Sequence, residues 1–163
     1  NDAREFVRKK LQPIAPIRAT GPSTSSAWVV TATRYEVLLP AEASDTLDDP
    51  RRLAELFEDV APPGQKDLLI TVKLTARTDG TLHAFWERAR YFARTAFVLE
   101  HGLPAVLAMH VAQQSGTRQP TLPHIHLMAL PRELNAFGFA GRSTIAVSGA
   151  QCELVEKWKA TGQ

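Results

Sequence analysis

Ala105-Val106-Leu107-Ala108-Met109-His110-Val111 and Pro123-His124-Ile125-His126-Leu127-Met128-Ala129-Leu130 are the two stretches from which the fold is read. Each is a short apolar run bounded by turn or polar residues, which predicts a pair of β-strands. Side chains at i and i+2 of a strand share a face, so His124 and His126 project together while Ile125 and Leu127 point into the core. A hairpin across residues 112–123 lays the end of the first strand beside the start of the second. With the register that puts His110 on the same face, it joins His124 and His126 in one patch. Three neutral imidazoles suit Mn, Zn, Ni, Cu or Fe and leave positions open for water or substrate. The other two histidines have simpler roles: His83 stands near a helix start, and His101 stands in a helix's last turn, where it complements the dipole.

Working outward, Trp28–Leu39 is rich in β-formers and ends at Pro40, predicting a strand. Asp49-Pro50 opens a helix to about Val60, with a capping carboxylate, proline in the first turn, and Leu53, Leu56 and Phe57 on one stripe. Pro62-Pro63-Gly64 breaks it. Asp67–Leu74 reads as the clearest strand and Thr78-Asp79-Gly80 as a turn. Residues 81–101 form the longest helix: Phe85, Ala89, Phe92, Ala93, Ala96 and Val98-Leu99 supply the apolar stripe, and Gly102 supplies the stop. Arg88, Arg90 and Arg94 read as its solvated face, and Tyr91 as packing. After the histidine strands come a turn with Gly138 and Gly141, a β-run at Ser143–Val147, and a helix over 150–160 carrying Leu154, Val155 and Trp158. Residues 2–11 predict a short basic helix. Pro13, Pro16, Gly21, Pro22 and Ser23-Thr24-Ser25-Ser26 then form an arm. The organisation expected is an arm over 1–26 and one domain over 27–163, without internal repeats. The order β, α, β, α, β, β, α predicts an α+β fold with a largely antiparallel sheet.

Composition bounds the function classes. With 163 residues, 44% hydrophobic and 22% charged, the chain is neither disordered, collagen-like nor a coiled coil. Leu103–Met109 and Ile125–Leu130, the longest apolar runs, fall short of the ~20 residues of a membrane span. The opening Asn1-Asp2-Ala3-Arg4-Glu5 is charged, unlike a signal peptide, and the missing initial Met leads to the expectation of processing, or a longer parent, upstream of residue 1. A single cysteine, Cys152, excludes an intrachain disulfide framework and fits a reducing, cytoplasmic setting. The net charge of +2 is unevenly spread: residues 1–18 and 112–142 are basic, and 36–59 are acidic. An anionic partner is allowed on part of the surface.

Pro123-His124-Ile125-His126, followed by Leu127-Met128-Ala129-Leu130-Pro131-Arg132-Glu133-Leu134 and then Phe137-Gly138-Phe139, resembles the metal-binding motif of the HUH relaxases, specifically the MobA/MobL type of plasmid mobilisation protein. Tyr35-Glu36-Val37-Leu38-Leu39-Pro40-Ala41-Glu42-Ala43 is similar to a strand and acidic loop of those proteins. Lys66–Leu74, the 81–101 helix and the strand into His110 follow in the same order. The resemblance covers about residues 35–160, and only its histidine block is specific. It implies that His110, His124 and His126 hold a divalent ion (Mn, Mg or Zn). It also implies a sheet with helices on one face and DNA on the other. The family's nucleophile is a tyrosine on an N-terminal segment that is not found here, so the expectation is either a fragment whose nucleophile stood upstream of Asn1 in a longer parent, or a domain that has lost the chemistry. Tyr35 and Tyr91 are the only tyrosines, so the catalytic residue stays unassigned, with Tyr35 as the remaining candidate. The loop between His110 and His124 is also longer than the pattern.

The resemblance implies a relaxase-type domain that nicks and transfers one DNA strand at a transfer origin, a tyrosine hydroxyl attacking the scissile phosphate. Further domains of a longer parent are possible partners; a membrane is not. Arg118 and Arg142 are candidate phosphate contacts, each equally readable as a solvated loop arginine, and Trp28 is a candidate base-stacking residue better explained as a core anchor. The alternative is a catalytically inactive DNA-binding module of the same fold. A small metallohydrolase ranks third, because it needs a carboxylate base and Glu133 is the nearest downstream.

Overall fold

A computed structural model describes residues 2–14, 28–65, 67–77, 79–111, 122–146 and 150–162. Its core is a four-stranded antiparallel sheet in the order β1-β3-β4-β2, built from β1 (Arg34–Leu38), β2 (Ile70–Thr75), β3 (Ala105–His110) and β4 (His124–Ala129). A two-stranded ribbon, β5 (Arg132–Asn135) and β6 (Gly138–Arg142), follows. Among the described residues the α-helices are α1 (Ala3–Leu11), α2 (Pro50–Val60), α3 (Leu82–Ala93) and α4 (Ala150–Ala160). The α+β class with an antiparallel sheet is as expected.

The helices start where local chemistry places them. The carboxylate of Asp2 accepts the Glu5 N–H at 2.6 Å, that of Asp49 accepts Arg51 N–H at 2.8 Å, and the Thr81 hydroxyl accepts Ala84 N–H at 3.1 Å, each satisfying an orphan first-turn donor. α3 runs on through a π-helical stretch at Arg94–Leu99, where the Thr95 hydroxyl donates to the Tyr91 carbonyl at 2.9 Å. The wider turn shifts the helical phase. Ala96, Phe97 and Val98 are buried in succession and Leu99, expected on the apolar stripe, turns out to solvent. Gly102 stops the helix at φ +64, a left-handed conformation favoured by glycine.

Alternation along β3 and β4 divides the apolar residues between two layers. Ala105, Leu107, Met109, Ile125 and Leu127 meet Phe85, Trp86 and Phe92 of α3, Phe97 of the π-helical stretch and Leu154 of α4. Val106, Ala108 and Met128 face the other way, against Val7 and Leu11 of α1 and Leu53 and Phe57 of α2. The expected helices on one face are α3 and α4; α1 and α2 form a second layer over part of the opposite face. The basic N-terminal helix thus packs into the body of the fold, with Ala3, Val7 and Leu11 buried.

Four further details differ from the sequence reading. The first strand begins at Arg34 rather than Trp28, because the Thr31 and Ala32 N–H groups donate to the Leu11 carbonyl at 2.9 and 3.0 Å and are unavailable to the sheet. The β-run expected at 143–147 is absent over its described part. Gly138 (φ +110) lies at the turn of the β5–β6 hairpin, Gly141 lies inside β6, and Thr144–Ala146 is a short 3-10 turn. Tyr91 does not pack; it is 62% exposed. The arginines of α3 divide: Arg88 lies over the Trp158 ring at 4.0 Å, Arg90 donates to Glu36 at 2.8 Å, and Arg94 is exposed.

Candidate metal centre

The β3–β4 register places His110 directly opposite His124 and Ala108 opposite His126. Period-two alternation then puts all three imidazoles on one face, at the end of the sheet where β3 stops and β4 starts. Ring centroids are 4.9 Å (His110–His126), 5.0 Å (His124–His126) and 5.2 Å (His110–His124) apart. One nitrogen of each ring lies within 4.8 Å of the other two. Among the described residues this is the one such convergence of histidine, cysteine or carboxylate side chains.

The rings are oriented by carbonyls. His110 Nε2–H donates to the Lys10 carbonyl at 2.6 Å, and His124 Nδ1–H donates to the Leu122 carbonyl at 3.0 Å. A carbonyl only accepts, so each bond fixes the tautomer and leaves Nδ1 of His110 and Nε2 of His124 with free lone pairs. That is the support metal-ligating histidines ordinarily receive. His110 and His124 are each only 5% exposed, and His126 is half-buried. Burial lowers the His110 pKa, opposed by its bond to Lys10 and assisted by His124, Lys10 and Lys73. His126 is pushed down to about 3, first by burial and then by the charges of Lys10, His110, His124 and Lys73. Both shifts favour the neutral form of His110 and His126, the form that binds a metal. The donor set and the tautomers of His110 and His124 fit a divalent ion.

Two further features share this face. Lys73 on β2 lies directly opposite His126, with Thr75 opposite His124, and both are exposed. Tyr35 on β1 lies opposite Ala108, and so shares a cross-strand row with His126 and Lys73; it is 45% exposed. Sequence reading missed Lys73 and the Lys10 carbonyl. The alternation of β2 fixes which of its residues share a face, but only the β2–β4 register reveals that Lys73 faces His126. The α1 contact spans 100 positions.

The remaining candidates lie elsewhere. Arg142, at the end of β6, sits beyond the far end of β4, about 17 Å along the strand from His124 at ~3.4 Å per residue. It is ion-paired with Asp67 at 3.2 Å. The structure thus separates Arg142 from the histidines, because the ribbon leaves the sheet at the opposite end. Arg118 lies outside the described residues. Trp28 packs half-buried against the α1–α2 layer. His83 is exposed, and His101 Nε2 is 3.7 Å from Glu100. A cleft of about 780 Å³ runs between β2 and α4, with Ile145, Leu154 and Trp158 in its wall and no histidine in its lining. We place the candidate site at the histidine cluster on chemistry, since the cleft brings together no comparable set of donors.

No protein-family model matches this sequence, and no curated protein matches it. The fold is similar to that of a solved structure described as "Molecular Basis of Vancomycin Resistance Transfer in Staphylococcus aureus". The TM-score is 0.65 at 19% identity, over 81% of this chain and 68% of that one. At that identity the likeness speaks for the fold.

Proposed function

We propose that this chain is a relaxase-type domain of the MobA/MobL kind, which binds a divalent ion at His110, His124 and His126 and acts on single-stranded DNA. The observation that carries the reading is the convergence of three imidazoles at one end of one sheet face. The shared fold with a protein of resistance transfer, and the Pro123-His124-Ile125-His126 block, support it further.

A divalent ion held there supplies Lewis acidity and a template for a phosphate's non-bridging oxygens. The chain's own groups do the rest. The carbonyls of Lys10 and Leu122 hold two ligand rings in the competent tautomer. Lys73 and Lys10 attract a DNA backbone toward the centre, an affinity that falls with salt. Tyr35 is the in-chain candidate nucleophile, because it is the tyrosine exposed on the histidine face; Tyr91 stands on α3, across the sheet. A phenol attacking phosphorus in that row would leave a 5′-phosphotyrosine and free a 3′-hydroxyl, conserving the phosphodiester for rejoining.

A non-cleaving DNA-binding module is the second reading. It is favoured by α1, the N-terminal element that reaches the histidines, which carries no tyrosine. Incubating the chain and its Tyr35→Phe variant with single-stranded transfer-origin DNA and Mn²⁺ separates the two. A covalent adduct in the wild type, lost in the variant, is the expected result. DNA binding without any adduct favours the second reading, and an adduct that survives in Tyr35→Phe removes Tyr35 from its role.

A further inference from the structure

The three candidate ligands are all imidazoles, and no Asp or Glu joins them among the described residues. The formal charges that bear on the cluster come from Lys10, whose own carbonyl holds His110, and from Lys73, directly opposite His126. A divalent cation entering this centre meets two ammonium groups and no compensating carboxylate. Like charges repel more strongly beside a partly buried site than in water. Conversely, an anion approaching without the metal meets two cations but no group to orient its oxygens. Each ligand brings the charge that the other needs.

We propose that metal and phosphodiester bind this centre with positive coupling: a DNA phosphate gripped by Lys73 and Lys10 provides the negative charge missing from the histidine set. The inference rests on the metal-dependent DNA reading above. Coupling between two binding equilibria is reciprocal, so the metal tightens DNA binding by the same factor by which DNA tightens metal binding.

Titrating Mn²⁺ calorimetrically into the full chain, with and without a saturating six-nucleotide thymidine oligonucleotide, tests this, once Mn²⁺ binding to the oligonucleotide alone is subtracted. We expect Mn²⁺ affinity to rise about tenfold with the oligonucleotide. Fluorescence anisotropy should give the same factor for the oligonucleotide on adding Mn²⁺. Lys73→Glu places a carboxylate opposite His126 at an exposed position of an edge strand, where folding, checked by circular dichroism, is preserved. It should tighten Mn²⁺ binding without DNA and bring the coupling factor close to one. Lys73→Gln should weaken oligonucleotide binding and reduce the factor. Mn²⁺ binding of equal strength with and without the oligonucleotide overturns the coupling and leaves the metal centre standing, as does an undiminished factor in Lys73→Glu. Failure of Mn²⁺ to bind in either condition overturns both.

Discussion

His126 concentrates the chemistry of the histidine face in one residue. It sits centrally in its row, with Ala108 on one side and Lys73 on the other, and its pKa is pushed down to about 3, first by burial. In the unfolded chain a histidine titrates near 6.5. Between about pH 6.5 and 3 the unfolded state therefore holds a proton that the folded state refuses. The contribution to stability is full above about pH 6.5 and is lost progressively as the pH falls toward 3. His110 is shifted in the same direction. Urea unfolding of the metal-free protein should show stability declining with acid from pH 7 to 5. The slope contributed by one such histidine is at most about 1.4 kcal/mol per pH unit. His126→Gln should flatten it; an unchanged slope would place the acid sensitivity in other groups.

Elements behave as independently built parts, and their end chemistry is legible in the sequence because it is local. Asp49-Pro50 and Thr81 start their helices and Gly102 stops one, as their residue types require. Gly102 holds φ +64, and a side chain there would find its nearest neighbour, Glu133, no closer than 3.9 Å. The cost of Gly102→Ala is therefore conformational rather than steric. It should destabilise the fold by about 1 kcal/mol in thermal or chemical unfolding, with Mn²⁺ affinity unchanged. A loss of several kcal/mol would point to a clash. What sequence could not supply at this scale were the non-local choices. Donation from Thr31 and Ala32 to the Leu11 carbonyl shortens the first strand, and the π-turn at Arg94–Leu99 rotates Leu99 outward. Neither leaves a periodicity to read.

Over the whole molecule, the α+β class and the antiparallel ribbon follow from apolar alternation, and the meeting of the three histidines follows from the same alternation plus a hairpin register. The second helical layer does not. The stripe of Ala3, Val7 and Leu11 is apparent in the sequence, but its docking on Val106, Ala108 and Met128 depends on contacts about a hundred residues apart. That layer brings the Lys10 carbonyl to His110 and so joins the fold's packing to the candidate centre. Val7→Ala should accordingly cost stability, about 1–3 kcal/mol for a buried methyl pair with the cavity it leaves. It should also weaken Mn²⁺ binding, whereas Leu154→Ala, on the opposite layer, should lower stability alone. Equal metal affinity in both variants at a temperature where each is folded would uncouple α1 from the centre. The most direct measurement is anomalous diffraction from crystals soaked in Mn²⁺. A single peak within about 2.0–2.3 Å of one nitrogen from each of His110, His124 and His126 is expected; well-ordered rings with no peak between them, or a peak bound elsewhere, would contradict the metal centre.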